Sequence, residues 1–112
     1  GQERDFLYVK DAVEMTLFFL DHPGLNGIFN IGAGVARNWT DLATAVFKAM
    51  GKEPQIEFID MPGSIRAQYQ YHTCAGIEKI RNTGYTCPIT SLEDAITNYI
   101  QNYLLPNKRL GE

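Results

Sequence analysis

Apolar residues recur at helical spacing in three stretches of this chain, which predicts three amphipathic helices. The expected core positions are Ala12, Val13, Leu17 and Leu20, then Leu42, Val46, Phe47 and Met50, and finally Leu92, Ala95, Ile96, Tyr99 and Tyr103. Residues 75–81 predict a fourth, shorter helix. Three short segments rich in β-branched or aromatic residues, 6–9, 27–32 and 55–59, predict strands.

Polar residues, glycine and proline mark the predicted ends of these helices. The first helix is expected to start at Asp11 and the third at Thr90, because each is followed by a glutamate three residues later in a capping-box pattern. Asn38 is a good cap for the second helix, which should end at Gly51. Pro106 should stop the third, since proline cannot continue a helix.

The alternation of strands and helices predicts an α/β fold, with a small sheet and flanking helices. The 112 residues suffice for one domain, which we expect over residues 1–105, followed by a mobile polar tail at 106–112. A sheet of three short strands leaves edges and apolar faces uncovered. We therefore expect the chain to self-associate as a homo-oligomer or to pack against a larger segment.

Composition narrows the class of function. The net charge of −3 argues against a general nucleic-acid binder, which needs a basic face. The longest apolar run, near residues 17–20, is too short to span a membrane, and no signal peptide is recognisable. Cys74 and Cys87 do not have the spacing of metal ligands, so we expect reduced structural thiols, no metal site and a cytoplasmic location.

Two clusters of polar residues are candidates for ligand binding. Arg4 could hold a diphosphate through its planar guanidinium, with Asp5 orienting it or pairing with it. The second cluster consists of Arg66, Gln68, Tyr69 and Tyr71. A tyrosine there offers an aromatic face to a base or sugar and a hydroxyl to a phosphate. A surface arginine and an ordinary polar loop with a half-buried tyrosine would explain the same residues.

Residues 32–37, G-A-G-V-A-R, follow a predicted strand in the manner of a dinucleotide-binding loop. Arg37 stands where the third glycine should be, and no acidic residue follows at the usual place. We interpret this segment as a plain turn from strand to helix, and assign no residue of the chain to cofactor binding.

The run R-D-F-L-Y-V-K-D-A at residues 4–12 resembles a segment of the extended short-chain dehydrogenase/reductases that act on nucleotide-sugars. Residues 27–34, 55–62 and 69–75 narrow the resemblance to the ADP-heptose 6-epimerase family. It implies that this chain is the C-terminal, substrate-binding portion of such an enzyme and lacks the N-terminal nucleotide-binding half. It also implies an ADP-sugar substrate, contacted by Arg4 and Tyr69. From the second polar cluster, Arg66 is a further candidate for substrate binding.

The resemblance further implies that the whole enzyme uses NADP to oxidise carbon 6 of the heptose transiently, for lipopolysaccharide inner-core synthesis. The catalytic Tyr-x-x-x-Lys of the short-chain dehydrogenases is absent, because none of the six tyrosines has lysine four residues later. We therefore expect no catalytic residue here, and neither NADP binding nor activity from the chain alone. Two alternatives stay open: a fragment of a UDP-sugar 4-epimerase or sugar 4,6-dehydratase, and a non-catalytic interaction module.

Overall fold

The computed structural model describes residues 2–109, which form a small two-stranded sheet and a set of helices. The elements are, in chain order, β1 (Glu3–Asp5), α1 (Val9–Leu20), β2 (Ala36–Asn38), α2 (Trp39–Ala49), α3 (Gly63–Arg66), α4 (Glu78–Asn82), α5 (Leu92–Tyr99) and a π-helical continuation of α5 (Ile100–Leu104). A small sheet with flanking helices fits the predicted α/β class.

The short strand β1 lies between two neighbouring segments. It pairs antiparallel with β2, so that Arg4 lies directly opposite Arg37. On its other side, the N–H of Glu3 donates to the carbonyl of Tyr71 at 2.7 Å, and the N–H of Thr73 donates to the carbonyl of Glu3 at 3.1 Å. Strand β1 thereby joins β2 to residues 71–73, two segments that are more than thirty residues apart in the sequence.

The three predicted strand positions are wrong. The first strand lies at Glu3–Asp5 rather than 6–9, and residues 27–32 and 55–59 are irregular. The side chains of Ile28 and Phe58 are 86% and 79% exposed, respectively. Strand propensity describes how well a segment fits a paired, half-buried surface. Among residues 2–109, neither of these two segments has a neighbouring strand with which it could form such a surface.

Two predicted capping boxes are also wrong, for a single reason. Helix α1 begins at Val9, without a side-chain cap, and the carboxylate of Asp11 instead accepts hydrogen bonds from the N–H and hydroxyl of Thr90, both at 3.0 Å. With Thr90 engaged in this way, Ser91 caps α5 by accepting from the N–H of Asp94 at 3.1 Å. A contact between residues 79 positions apart leaves no mark on the local pattern.

Helix α1 buries a different face from the predicted one. Met15 is fully buried and forms a core with Ile80 and Tyr85, against which Phe18 and Phe19 pack. The predicted core residues Val13, Leu17 and Leu20 are exposed, along with Val9. Both sides of this helix are apolar, so its sequence pattern could not indicate which one faces the core.

Helices α2 and α5 pack against each other and follow the sequence more closely. Asn38 caps α2 as predicted, accepting from the N–H of Asp41 at 2.7 Å, and Gly51 ends it with a positive φ of 73°. Ala45 and Ala49 are the buried residues of α2. Their small side chains allow a close approach of the two helices.

The end of α5 continues as a π-helical turn, in which the N–H of Leu105 donates to the carbonyl of Ile100 at 2.9 Å. The predicted stop at Pro106 agrees with this helix end. Residues 110–112 of the predicted mobile tail lie outside the described residues. Within residues 2–109, no helix has the length and apolar character needed to cross a membrane.

Candidate functional site

The Asp5 carboxylate holds the loops next to β1 in place. Its Oδ1 accepts from the N–H of Ala33 at 2.7 Å, and its Oδ2 accepts from the N–H groups of Gly34 and Ala75 at 3.0 and 2.9 Å. Asp5 forms no ion pair with Arg4 among residues 2–109, so the predicted direct pairing of these two side chains is wrong. Asp5 instead joins the turn after residue 32 to the segment that leads into α4.

The glycines of this turn are required by the close approach around Asp5. A Cβ atom on Gly32 would lie 2.4 Å from the Cβ of Ala75 and 2.9 Å from Asp5 Oδ2. Gly34 has a φ of 78°, where other residues are strained, and a Cβ there would meet the side chain of Ile77 at 2.7 Å. These glycines serve packing and a tight turn.

The turn at residues 32–34 cannot bind the phosphates of a dinucleotide in this conformation. A dinucleotide-binding loop presents free backbone N–H groups to the pyrophosphate. Here the N–H groups of Ala33 and Gly34 already bind the Asp5 carboxylate, which occupies the place of an anion. The residues present do not fit a nicotinamide dinucleotide at this loop, in agreement with its interpretation as a plain turn.

Arg4 and Tyr69, both predicted to bind ligand, lie together although 65 positions separate them in the sequence. The guanidinium carbon of Arg4 is 4.7 Å from the centre of the Tyr69 ring, a cation–π contact. Arg4 Nη1 also donates to the carbonyl of Glu3 at 2.8 Å. Among residues 2–109, Arg4 forms no ion pair, so its charge is not compensated by a carboxylate.

Arg37, the cross-strand neighbour of Arg4, is in the opposite situation. Its guanidinium donates to both carboxylate oxygens of Glu93 and, from Nε, to Asp41 at 3.2 Å. These bonds raise the pKa of Arg37, and the guanidinium in turn lowers the pKa of Glu93. Of the two facing arginines, Arg4 is the one that has no carboxylate partner among the described residues, and its charge can therefore attract an anion.

Arg66, the third predicted ligand-binding residue, has a different hydrogen-bond partner. It is exposed in the short helix α3, and its Nη2 donates to the carbonyl of Met61 at 3.3 Å. No contact of the described residues connects its guanidinium to Arg4 or Tyr69. It stays a prediction without support from the geometry.

An aromatic cleft next to Tyr69 was not predicted as a unit. It has a volume of about 480 Å³ and is lined by Gln2, Asn38, Trp39, Thr40, Phe58, Ile59 and Tyr71. The Tyr71 ring contacts the Tyr69 ring edge to face, at 6.0 Å between centres. Tyr71 is among the residues predicted to bind ligand, whereas Trp39 and Phe58 are not. The one signal for them in the sequence is their aromatic character.

A second cleft, of about 400 Å³, lies between residues 6–9 and α5. Its walls are apolar apart from tyrosine hydroxyl groups, and it contains no cation of its own. The Arg4–Tyr69 pair with the adjoining aromatic cleft is therefore the better candidate for a charged, partly aromatic ligand.

The amino-acid sequence of this chain is similar to those of known epimerases. The model of the NAD dependent epimerase/dehydratase family matches residues 1–32. This region includes β1 with Arg4 and Asp5, and the whole of α1.

The more similar relatives share one name, ADP-L-glycero-D-manno-heptose-6-epimerase. The enzyme of Nitratidesulfovibrio vulgaris strain DP4 is 53% identical over 104 residues, covering 93% of this chain and 32% of the relative. The Fusobacterium nucleatum enzyme is 42% identical, covering 92% and 33%. That of Pseudomonas aeruginosa strain PAO1 is 37% identical, covering 88% and 34%.

The resemblance inferred from residues 4–12, 27–34, 55–62 and 69–75 is thus confirmed. The chain is similar, over nearly its whole length, to a portion of the ADP-heptose 6-epimerases. It spans about a third of the length of the curated relatives it matches.

Proposed function

We propose that this chain forms the substrate-binding part of an ADP-L-glycero-D-manno-heptose 6-epimerase, an isomerase. In this proposal it corresponds to the C-terminal portion of the extended short-chain dehydrogenase/reductase fold, with residues 1–105 as the binding unit. The whole enzyme acts in lipopolysaccharide inner-core synthesis. Cys74 and Cys87 are free, which agrees with a cytoplasmic enzyme.

The observation that carries the proposal is the Arg4–Tyr69 pair. A guanidinium that has no carboxylate partner among residues 2–109 suits a diphosphate, which it can bind through parallel charged hydrogen bonds. The tyrosine ring limits the positions that the guanidinium can take, and a preorganised cation loses less conformational entropy on binding. The Asp5 carboxylate supports this arrangement, because it anchors the backbone next to Arg4 through three hydrogen bonds.

The chemistry of epimerisation belongs to another part of the enzyme in this proposal. A nicotinamide cofactor, which we take to be NADP, supplies transient hydride abstraction when bound. The present chain supplies no Tyr-x-x-x-Lys, and its glycine-containing turn is filled by Asp5. We therefore assign this chain binding and orientation of the ADP-sugar and derive no catalytic step from its residues.

The remaining two thirds of the enzyme is the partner that we propose for the exposed face of α1. Val9, Val13, Leu17 and Leu20 are 45–75% exposed and follow one side of this helix. Such a stripe is costly to leave in water and is typical of an interface. Replacing Leu17 with glutamate should block association with a separately expressed N-terminal portion, whereas Lys52→Glu, at an exposed position after α2, should leave it unchanged.

The test of the proposed function is an amide chemical-shift titration of the chain with ADP-mannose, UDP-glucose and GDP-mannose. We expect shifts with ADP-mannose, centred on Arg4 and Tyr69, and their loss in Arg4→Ala. A Lys52→Ala variant serves as the matched control, because it removes an exposed positive charge that belongs to neither candidate cluster. Preference for UDP-glucose would favour a 4-epimerase or 4,6-dehydratase instead. A chain that ignores all three sugars, alone and with the N-terminal portion added, would contradict the proposal.

A further inference from the structure

Residues 55–59 have the composition of a strand, but the structure gives them no strand partner. Polar and apolar side chains alternate from Gln55 to Phe58, the pattern of a strand with one apolar side. All five residues are exposed, and the side chains of Phe58 and Ile59 are 79% and 82% accessible to solvent. A segment of this kind, left open, is a natural place for another strand to pair.

The backbone of this segment is unpaired as well. Among residues 2–109, no hydrogen bond joins a backbone group of residues 55–59 to another backbone group. The neighbouring backbone hydrogen bonds belong to Lys52, at the end of α2, and to Pro62, before α3. None of the five residues is proline, so each has both a donor and an acceptor to offer to a strand ladder.

A largely apolar groove of about 430 Å³ lies between this segment and α2. Ile56 and Phe58 line it from the segment, and Ala43, Val46 and Phe47 line it from the helix. Alternate side chains of a strand point to the same side, so an added strand can direct every second side chain onto this apolar surface. Backbone pairing together with side-chain pockets is the usual way in which a protein binds a strand.

The charges of the segment indicate what kind of strand fits it. Glu53, Glu57 and Asp60 form no ion pair among the described residues. Opposite charges on facing strand positions stabilise a pair of strands, and like charges destabilise it. A lysine or arginine opposite Glu57 is therefore expected. The same argument disfavours a second copy of this segment, because its carboxylates would face these ones.

We propose that residues 55–59 become a strand in the complete enzyme by pairing with an extended segment of its remaining two thirds. That segment is apolar toward α2 and basic opposite Glu57. The identity of the partner rests on the proposed function, and the chain spans about a third of the length of the relatives, which leaves ample sequence to supply a strand. This surface shares no residue with the exposed stripe of α1.

The test compares amide hydrogen exchange in the isolated chain and in the complete enzyme. In the isolated chain, all amides of residues 55–59 should exchange as fast as in an unstructured peptide. In the complete enzyme, pairing along one side should slow every second amide of this segment by about 100-fold or more, because alternate N–H groups point toward the partner strand. The amide of Ala45, which is buried within α2, is the control and should exchange slowly in both.

A charge reversal tests the character of the partner strand. Glu57→Lys should leave the urea midpoint of the isolated chain unchanged, because Glu57 is exposed and has no ion-pair partner among the described residues. The same substitution should lower the midpoint of the complete enzyme, where two positive charges would face each other. An unchanged midpoint there would overturn the basic residue opposite Glu57.

The outcomes separate this proposal from the proposed function. Equal exchange of residues 55–59 in the isolated chain and the complete enzyme would overturn the strand, and ADP-mannose shifts at Arg4 and Tyr69 would then leave the proposed function standing. Slow alternate amides in a complete enzyme that ignores ADP-mannose would do the reverse. Protection that appears in the isolated chain and increases with its concentration would show that a second copy takes this position, and would overturn the proposed partner.

Discussion

The Asp5→Ala substitution removes an acceptor group that three backbone N–H groups share. A hydrogen bond to a charged group contributes about 1.5–3 kcal/mol net in folded proteins. Asp5 and its donors are only partly buried, so water can replace some of this stabilisation. Taking about 1 kcal/mol for each bond gives a loss of about 3 kcal/mol in the free energy of unfolding.

That loss is large for a chain of this size. Domains are stable by about 5–15 kcal/mol, and this chain has a small core, centred on Met15, Ile80 and Tyr85. Asp5→Asn should cost less than Asp5→Ala, because an amide keeps one oxygen. The asparagine amide cannot accept hydrogen bonds from all three N–H groups, because both Oδ1 and Oδ2 of Asp5 accept hydrogen bonds in the original protein.

The measurement is equilibrium unfolding in urea, followed by circular dichroism and by Trp39 fluorescence. Asp60→Ala is the matched control, because Asp60 is exposed and should change the stability by no more than about 0.5 kcal/mol. Amide hydrogen exchange should accelerate most at Ala33, Gly34 and Ala75. If Asp5→Ala has the same midpoint as Asp60→Ala, the reasoning that Asp5 anchors these loops is refuted.

Three further predictions test other parts of the structure. Gly32→Ala should destabilise the chain by about 1–3 kcal/mol through crowding, and Gly24→Ala, where nothing lies within 4 Å, should be close to neutral in the same urea titration. Arg37 lowers the pKa of Glu93, so the stability from this pair is present above the ordinary pKa of glutamate and is lost as the pH falls through the lowered pKa. The urea midpoint should therefore fall between about pH 5 and pH 3 less steeply in Glu93→Gln than in the original chain, and an equal slope would contradict the pairing. Finally, the isolated chain should sediment as a self-associated species, and a monomer at all concentrations would count against the exposed apolar faces acting as interfaces.

Local signals in the sequence were sufficient to predict those helix ends that depend on the residues next to them. Asn38 and Gly51 mark the ends of α2 in the sequence and in the structure, because a cap and a left-handed glycine act within one turn of the helix. The resemblance to the nucleotide-sugar epimerases was also readable from residues 4–12 and 55–75, as the relatives confirm.

The role of Asp11 was decided by tertiary structure. As a local signal it is a helix cap, but it binds Thr90, which moves the start of α5 to Ser91. The strands were misplaced for a related reason, because a strand is defined by its partner and not by its composition. Likewise, α1 has two apolar sides, and only packing around Met15 selected the inner one.

In the candidate site, too, some features follow from the sequence and others from the tertiary structure. The sequence by itself determined which residue types are available: an arginine at position 4, tyrosines at 69 and 71, and no Tyr-x-x-x-Lys. Only the tertiary structure decided that Arg4 meets Tyr69, that Arg37 is neutralised by Glu93 and that Asp5 fills the glycine turn. Each of these contacts joins residues at least 28 positions apart, and their geometry depends on the pairing of β1 with its two neighbouring segments.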